Sequence, residues 1–175
     1  MSTSATPATA VVQPDPRFDL VLERTIDVPP ALVWAAWTEP KHILRWFTPV
    51  PWSTVHCTVD LRPGGLFHTV MRSPEGEEYP NNGCYLDIVP QQRLTWTNTL
   101  VAGFRPVDLA PVAGSEHCPF IFTATVALAP AGGGTRYTAT VLHADEDSRK
   151  RHEAMGFHEG WGTALDQLVA LARTW

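Results

Sequence analysis

The C-terminal segment of the chain carries the feature that most constrains its fold. Residues 145–174 have helical periodicity, whereas the apolar segments before them are short and mostly alternate. Steps of three and four positions place one stripe of side chains on a single face, which we expect to pack on a sheet: His158, Trp161, Leu165, Leu168 and Ala172. An antiparallel sheet with one solvated face needs a long element to bury the other face. This segment is the only predicted element long enough.

Alternating apolar and polar residues predict the strands of that sheet. The expected strands span 18–28, 53–61, 66–72, 83–89, 93–100, 118–130 and 135–144. Two short helices, 31–40 and 40–47, follow the first strand, and the glycines of AGGG mark a hairpin turn before the last one. The order predicts an α+β fold, in which a curved antiparallel sheet of about six to seven strands wraps round the C-terminal helix. A space is expected between sheet and helix.

Length and composition predict one domain in the cytoplasm. The chain of 175 residues suits a single domain over 17–175, preceded by a polar, proline-containing tail over 1–16 that we expect to be disordered. A net charge of −5 argues against nucleic acid as a partner. The chain contains no run of 18 apolar residues, so no membrane span is predicted. Its first residues lack the basic region and the sustained apolar region of a secretory signal. Three widely spaced cysteines are typical of reduced thiols.

The stretch HEAMGFHEGW, residues 152–161, resembles a zinc-binding helix only superficially. A helix that chelates zinc needs histidines four positions apart, which share a face. His152 and His158 are six apart, about 240° round a regular helix. The other histidines have no ligand spacing, and the cysteines and serines lie in no recognisable nucleophile motif. We therefore expect neither a metal nor another cofactor.

Four segments resemble one protein family. They are IDVPPALVWAAWTEP (26–40), VDLRPGGLF (59–67), GCYLDIVPQQRLTWT (83–97) and GFHEGWGTALDQLVALA (156–172). In this order they are similar to the SRPBCC (START-like, helix-grip) superfamily, and within it to the bacterial proteins named after the activator of the heat-shock chaperone ATPase (AHSA-type). The resemblance implies a hydrophobic cavity between the sheet and the long helix that binds small apolar molecules.

The residues expected to line this cavity are mainly aromatic, because large apolar side chains with a few polar groups are typical of ligand pockets. We expect Phe104, on a long loop over 101–117, to act as a lid, and His143 to be the polar counterpart of His158. The full set of candidates is Trp46, Phe47, Trp52, Phe67, Met71, Tyr85, Trp96, Phe104, Phe120, Phe122, His143, Met155, His158 and Trp161.

Three functions stay open at this point. The leading hypothesis is binding of a small apolar or aromatic molecule. The first alternative is a cyclase-, isomerase- or hydrolase-type enzyme that uses His158 or His143 as general acid–base. The second is a chaperone-associated interaction protein, which we expect less, because only a short segment precedes the fold where the eukaryotic co-chaperones carry a further domain. The oligomeric state is open, with a homodimer among the alternatives.

Overall fold

A seven-stranded antiparallel sheet forms the centre of the structure, a computed structural model that describes residues 13–109 and 120–175. Its strands are β1 (Asp19–Ile26), β2 (Ser53–Val59), β3 (Leu66–Arg72), β4 (Glu78–Val89), β5 (Arg93–Thr97), β8 (Phe122–Ala131) and β9 (Gly134–His143). A separate small hairpin consists of β6 (Leu100–Val101) and β7 (Arg105–Pro106). The spatial order of the sheet is β1-β9-β8-β5-β4-β3-β2, so the first strand lies beside the last.

Four helices complete the described structure. They are α1 (Pro30–Thr38), α2 (Pro40–Trp46), α3 (Glu146–Ala154) and α4 (Phe157–Ala172). Both short helices begin at a proline, whose fixed φ suits the first helical position and whose missing N–H is not needed there. Helix α4 contacts α1, α2 and β1. The α+β helix-grip fold predicted from the sequence is confirmed.

Strict alternation along β8 and β9 decides which side chains face the helices. Ala124 pairs with Val141, and Val126 pairs with Ala139, and all four are buried. Directly paired residues lie on the same face of the sheet, so these small side chains form one continuous apolar surface. The core continues into α4 through Leu165 and Leu168, which are also buried.

The predicted C-terminal helical segment is interrupted at Gly156. Its φ of 94° and ψ of 39° are left-handed, and this conformation ends α3 and starts α4. Glycine tolerates it because no Cβ meets the backbone. Asp145 caps the start of α3 by accepting a 2.7 Å hydrogen bond from the Ser148 amide. Helix α4 therefore begins anew after Gly156, which changes which of its side chains face the sheet.

The described ranges limit three of the sequence-based predictions. Most of the predicted tail over 1–16 lies outside them, as do residues 110–117 of the predicted long loop (101–117) and residues 118–119 of the predicted strand 118–130. The described part of that loop contains the small β6–β7 hairpin. Within the described ranges, no helix is long and apolar enough to cross a membrane.

Candidate functional site

A cavity of about 590 Å³ lies between the inner face of the sheet and the helices α2 and α4. Trp37, Trp46, Phe67 and Trp96 form one part of its wall. Trp37 is the centre of this group, with ring centroids 4.9 Å from Trp46 and 5.3 Å from Trp96. Phe67 lies 5.6 Å from Trp96, edge to face. Rings packed at these distances support one another, so the wall is a fixed aromatic surface.

Nine of the fourteen candidates from the sequence line this cavity. They are Trp46, Phe47, Phe67, Met71, Trp96, Phe120, Phe122, Met155 and Trp161. The strand residues follow from alternation, and Trp161 follows from helical spacing. Whether these side chains bind a ligand stays a prediction.

Trp52, Tyr85 and Phe104 do not line the cavity. Trp52 packs on Tyr79, 5.4 Å away. Tyr85 is fully buried, and its ring stacks on Phe67 at 5.4 Å. Phe104 is 50% exposed. Its ring covers Gly64, where a Cβ would lie 2.7 Å from the ring, and this contact holds Phe104 away from the cavity.

The structure contradicts the placement of His158 in the sheet-facing stripe. Its side chain is 48% exposed, and Nε2 lies 3.6 Å from a Glu153 carboxylate oxygen. The preceding residue, Phe157, is buried and lines the cavity instead. Because α4 begins afresh after Gly156, its apolar stripe runs from Phe157 through Trp161, Leu165 and Leu168.

His143 and His152 form the polar end of the site. His143 is buried at the end of β9, and its Nδ1 lies 2.9 Å from the Phe18 carbonyl oxygen. Its Nε2 lies 2.9 Å from Nδ1 of His152, and His152 lines the cavity. His143 therefore does not line the cavity but contacts the histidine that does. Burial, and secondarily His143, lower the pKa of His152 to about 4, so its ring is neutral near pH 7.

Aromatic rings hold the His152 ring on two sides. The Phe120 ring stacks on it at 4.9 Å with an interplanar angle of 13°, and the Phe157 ring meets it edge to face at 5.4 Å. The guanidinium of Arg151 covers Phe120 at 5.3 Å from the ring centroid. The orientation of the His152 ring is thus determined by both packing and hydrogen bonding.

Among the lining residues that sequence reasoning missed are four with aromatic or imidazole rings: Trp37, Tyr137, His152 and Phe157. Tyr137 has the same strand parity as His143, so alternation along β9 could have found it. Phe157 lies four positions before Trp161, but the assumption of an uninterrupted helix favoured His158. His152 was considered only as a metal ligand, and its nine-residue separation from His143 gave no signal of contact.

Further polar groups lie at the cavity wall. Trp37 Nε1 is buried with no hydrogen-bond partner in the described part of the chain. Burial raises the pKa of Tyr137, and the nearby Trp37 N–H opposes this only in part. Asn98 is held by its own hydrogen bonds, since Oδ1 accepts from the Phe122 amide at 2.9 Å and Nδ2 donates to the Phe120 carbonyl.

Neither a metal cluster nor a carboxylate belongs to the described part of this site. No group of three or more His, Cys, Asp or Glu residues within 13–109 and 120–175 is placed to hold a metal ion. The described lining contains neither Asp, Glu, Lys nor Arg, and its titratable groups are Tyr137 and His152. The described wall is therefore mainly apolar and is uncharged near pH 7.

A sheet that grips a C-terminal helix over an aromatic cavity defines the helix-grip class of proteins. Over residues 27–173 the chain matches the family described as "Activator of Hsp90 ATPase homolog 1-like protein", and it belongs to that family.

Comparison with solved structures supports this assignment. A crystal structure of a protein from Nitrosomonas europaea is 46% identical, with a TM-score of 0.84, and the match covers 91% of this chain and 97% of that one. A crystal structure from Rhodobacter sphaeroides is 23% identical, with a TM-score of 0.76 and coverage of 93% and 97%. A solution structure from Arthrobacter aurescens is 24% identical, with a TM-score of 0.74 and coverage of 95% and 94%. The last two show the common fold. No curated protein matches the chain.

Proposed function

We propose that the protein binds a small, neutral, apolar or aromatic molecule in the cavity between the sheet and α4. The observation that carries this proposal is the wall formed by Trp37, Trp46, Phe67, Trp96 and Trp161 around about 590 Å³ of space. This volume is within the range of small-molecule sites, which are mainly apolar with a few oriented polar groups. If these side chains served only to pack the core, they would be expected to fill the space between them, because protein interiors are close-packed.

Exposed lining residues mark a route into the cavity. Met155 is 74% exposed and lies beside the α3–α4 break. Pro80, Asn81 and Asn82 of β4 also line the cavity and are exposed. A guest can therefore enter between β4 and the α3–α4 junction without the core having to open.

The two alternative functions receive less support. The enzymatic hypothesis named His158 or His143, but His158 lies outside the cavity and His143 behind its wall. The chaperone-associated hypothesis needs a continuous exposed apolar patch. The large exposed apolar residues in the described part of the chain belong to different elements or loops: Leu44, Val50, Leu61, Tyr79, Phe104, Met155 and Trp175. A cytoplasmic location stays a prediction, and the free thiols of Cys57 and Cys84 support it. The formation of a homodimer also stays a prediction.

Filling the cavity tests the proposed function. Gly160 lines the cavity, and a Cβ built there meets only Pro49 Cγ, at 4.0 Å, so Gly160→Leu projects a side chain into the space without a backbone clash. Gly162 lies two positions further along α4 and does not line the cavity, which makes Gly162→Leu the matched control. Naphthalene is the probe, measured by fluorescence titration and by thermal shift.

We expect naphthalene to bind to and stabilise the wild-type protein and the Gly162→Leu variant. The Gly160→Leu variant should bind at least tenfold more weakly, since its side chain occupies the site. Native mass spectrometry of the purified wild-type protein should also show any ligand that co-purifies. Absence of naphthalene binding to the wild-type protein, or equal binding to both variants, would contradict the proposal.

A further inference from the structure

The His143–His152 contact determines which nitrogen of His152 is already used in a hydrogen bond within the described structure. A carbonyl oxygen only accepts hydrogen bonds, so Nδ1 of His143 must carry a proton to bond with Phe18. A neutral imidazole carries one N–H, and Nε2 of His143 is therefore an acceptor. It lies 2.9 Å from Nδ1 of His152, which must donate. The one remaining nitrogen, His152 Nε2, is then unprotonated and an acceptor.

This acceptor has no internal partner in the described ranges. Nδ1 of His152 is used by His143, and no other described residue forms a hydrogen bond to Nε2. Phe120 and Phe157 hold the ring from two directions, so it cannot rotate freely to exchange its nitrogens. Because His152 lines the cavity, a guest that displaces water from Nε2 is favoured when it supplies a hydrogen-bond donor in place of that water.

We propose that His152 Nε2 accepts a hydrogen bond from a hydroxyl or N–H group on a neutral aromatic guest, so that the cavity selects phenol-like ligands. The inference rests on the proposed function, because it concerns the same cavity. A neutral acceptor attracts a donor but gives no favourable charge to a carboxylate, and the described wall contains neither Lys nor Arg. Aromatic acids are therefore expected to bind more weakly than phenols of the same size.

Guests that lack a hydrogen-bond donor are expected to bind more weakly. A molecule of the same shape without a donor covers Nε2 without pairing it, and sites built around a hydrogen bond reject such analogues for this reason. One neutral hydrogen bond is worth about 0.5–1.5 kcal/mol net, which corresponds to roughly a threefold to tenfold change in Kd.

A set of naphthalene derivatives tests the inference. Dissociation constants are measured for naphthalene, 2-naphthol, 2-methoxynaphthalene and 2-naphthoate with the wild-type protein, His152→Phe and the control His158→Phe. Phenylalanine keeps an aromatic ring in place of the imidazole, and His158 lies outside the cavity. Wild type and His158→Phe should bind 2-naphthol threefold to tenfold more tightly than 2-methoxynaphthalene, and 2-naphthoate most weakly. In His152→Phe the ratio between naphthol and methoxynaphthalene should fall to about one.

Two outcomes overturn the inference without affecting the proposed function: naphthalene binds but 2-naphthol has no advantage, or the advantage persists in His152→Phe. Absence of binding by naphthalene and all its derivatives overturns both the inference and the proposed function.

An independent measurement needs neither ligand nor variant. Long-range ¹H–¹⁵N NMR spectra of the wild-type protein at pH 7 should show Nε2 of His152 as the unprotonated nitrogen, and an unprotonated Nδ1 would overturn the inference.

Discussion

Nε2 of His143 and Nδ1 of His152 lie 2.9 Å apart, which joins the end of β9 to α3 through two imidazole rings. His143 in turn bonds to the Phe18 carbonyl just before β1. The contact therefore links three parts of the chain at the polar end of the cavity. Its consequence for stability follows from His152, because burial opposes the protonation of this ring in the folded protein.

Acidification should destabilise the protein partly through His152. Its pKa is lowered from 6.5 to about 4 on folding, so the unfolded chain binds the proton more tightly than the folded one. The contribution is therefore fully present above pH 6.5 and is lost as the pH falls towards 4. His143 is the titratable group that touches the ring; the charged neighbours along α3 are Arg149, Arg151 and Glu153.

The measurement is the melting temperature of wild type and His152→Phe from pH 8 to pH 4. Wild type should lose stability more steeply between pH 6.5 and pH 4 than the variant, by a few degrees in melting temperature, the scale of about 1 kcal/mol for a chain of this size. Carboxylates that also titrate in this range are common to both proteins and cancel in the difference. Parallel curves would contradict the prediction.

Gly156 and Gly160, four positions apart in the chain, should respond in opposite ways to substitution by alanine. Gly156 has a φ of 94°, and an added Cβ would meet only Glu159 Oε2 at 3.7 Å, so backbone strain is the main cost. Gly156→Ala should therefore lower the free energy of unfolding by about 1–2 kcal/mol. Gly160 is helical and unstrained, so Gly160→Ala should raise it by up to about 1 kcal/mol. Urea denaturation measures both, and a shift of the same sign in the two variants would contradict the assignment of the break.

Strand alternation explains why so much of the cavity could be predicted. The parity that places Phe67 and Met71 on one face needs only local geometry, since successive strand residues point to opposite sides. To predict which residues of the helix face the sheet, one must also know where the helix begins, because its first residue sets the phase of the apolar stripe. The left-handed Gly156 resets that phase, and Phe157 takes the position expected for His158. The pairing of His143 with His152 depends on how α3 packs on β9, which no local pattern contains.

The buried hydroxyl of Tyr85 should be dispensable. Its oxygen has no hydrogen-bond partner within the described ranges, and burial strongly raises the pKa of the side chain. An unsatisfied buried hydroxyl costs about 1–3 kcal/mol, whereas the ring itself packs on Phe67. Tyr85→Phe removes the polar atom and keeps the ring, so it should raise the free energy of unfolding by about 1 kcal/mol. Tyr85→Leu is the contrasting variant, because it also removes the stacking and should lower stability. Urea denaturation of the three proteins checks both directions, and a loss of stability in Tyr85→Phe would show that the hydroxyl has a partner after all.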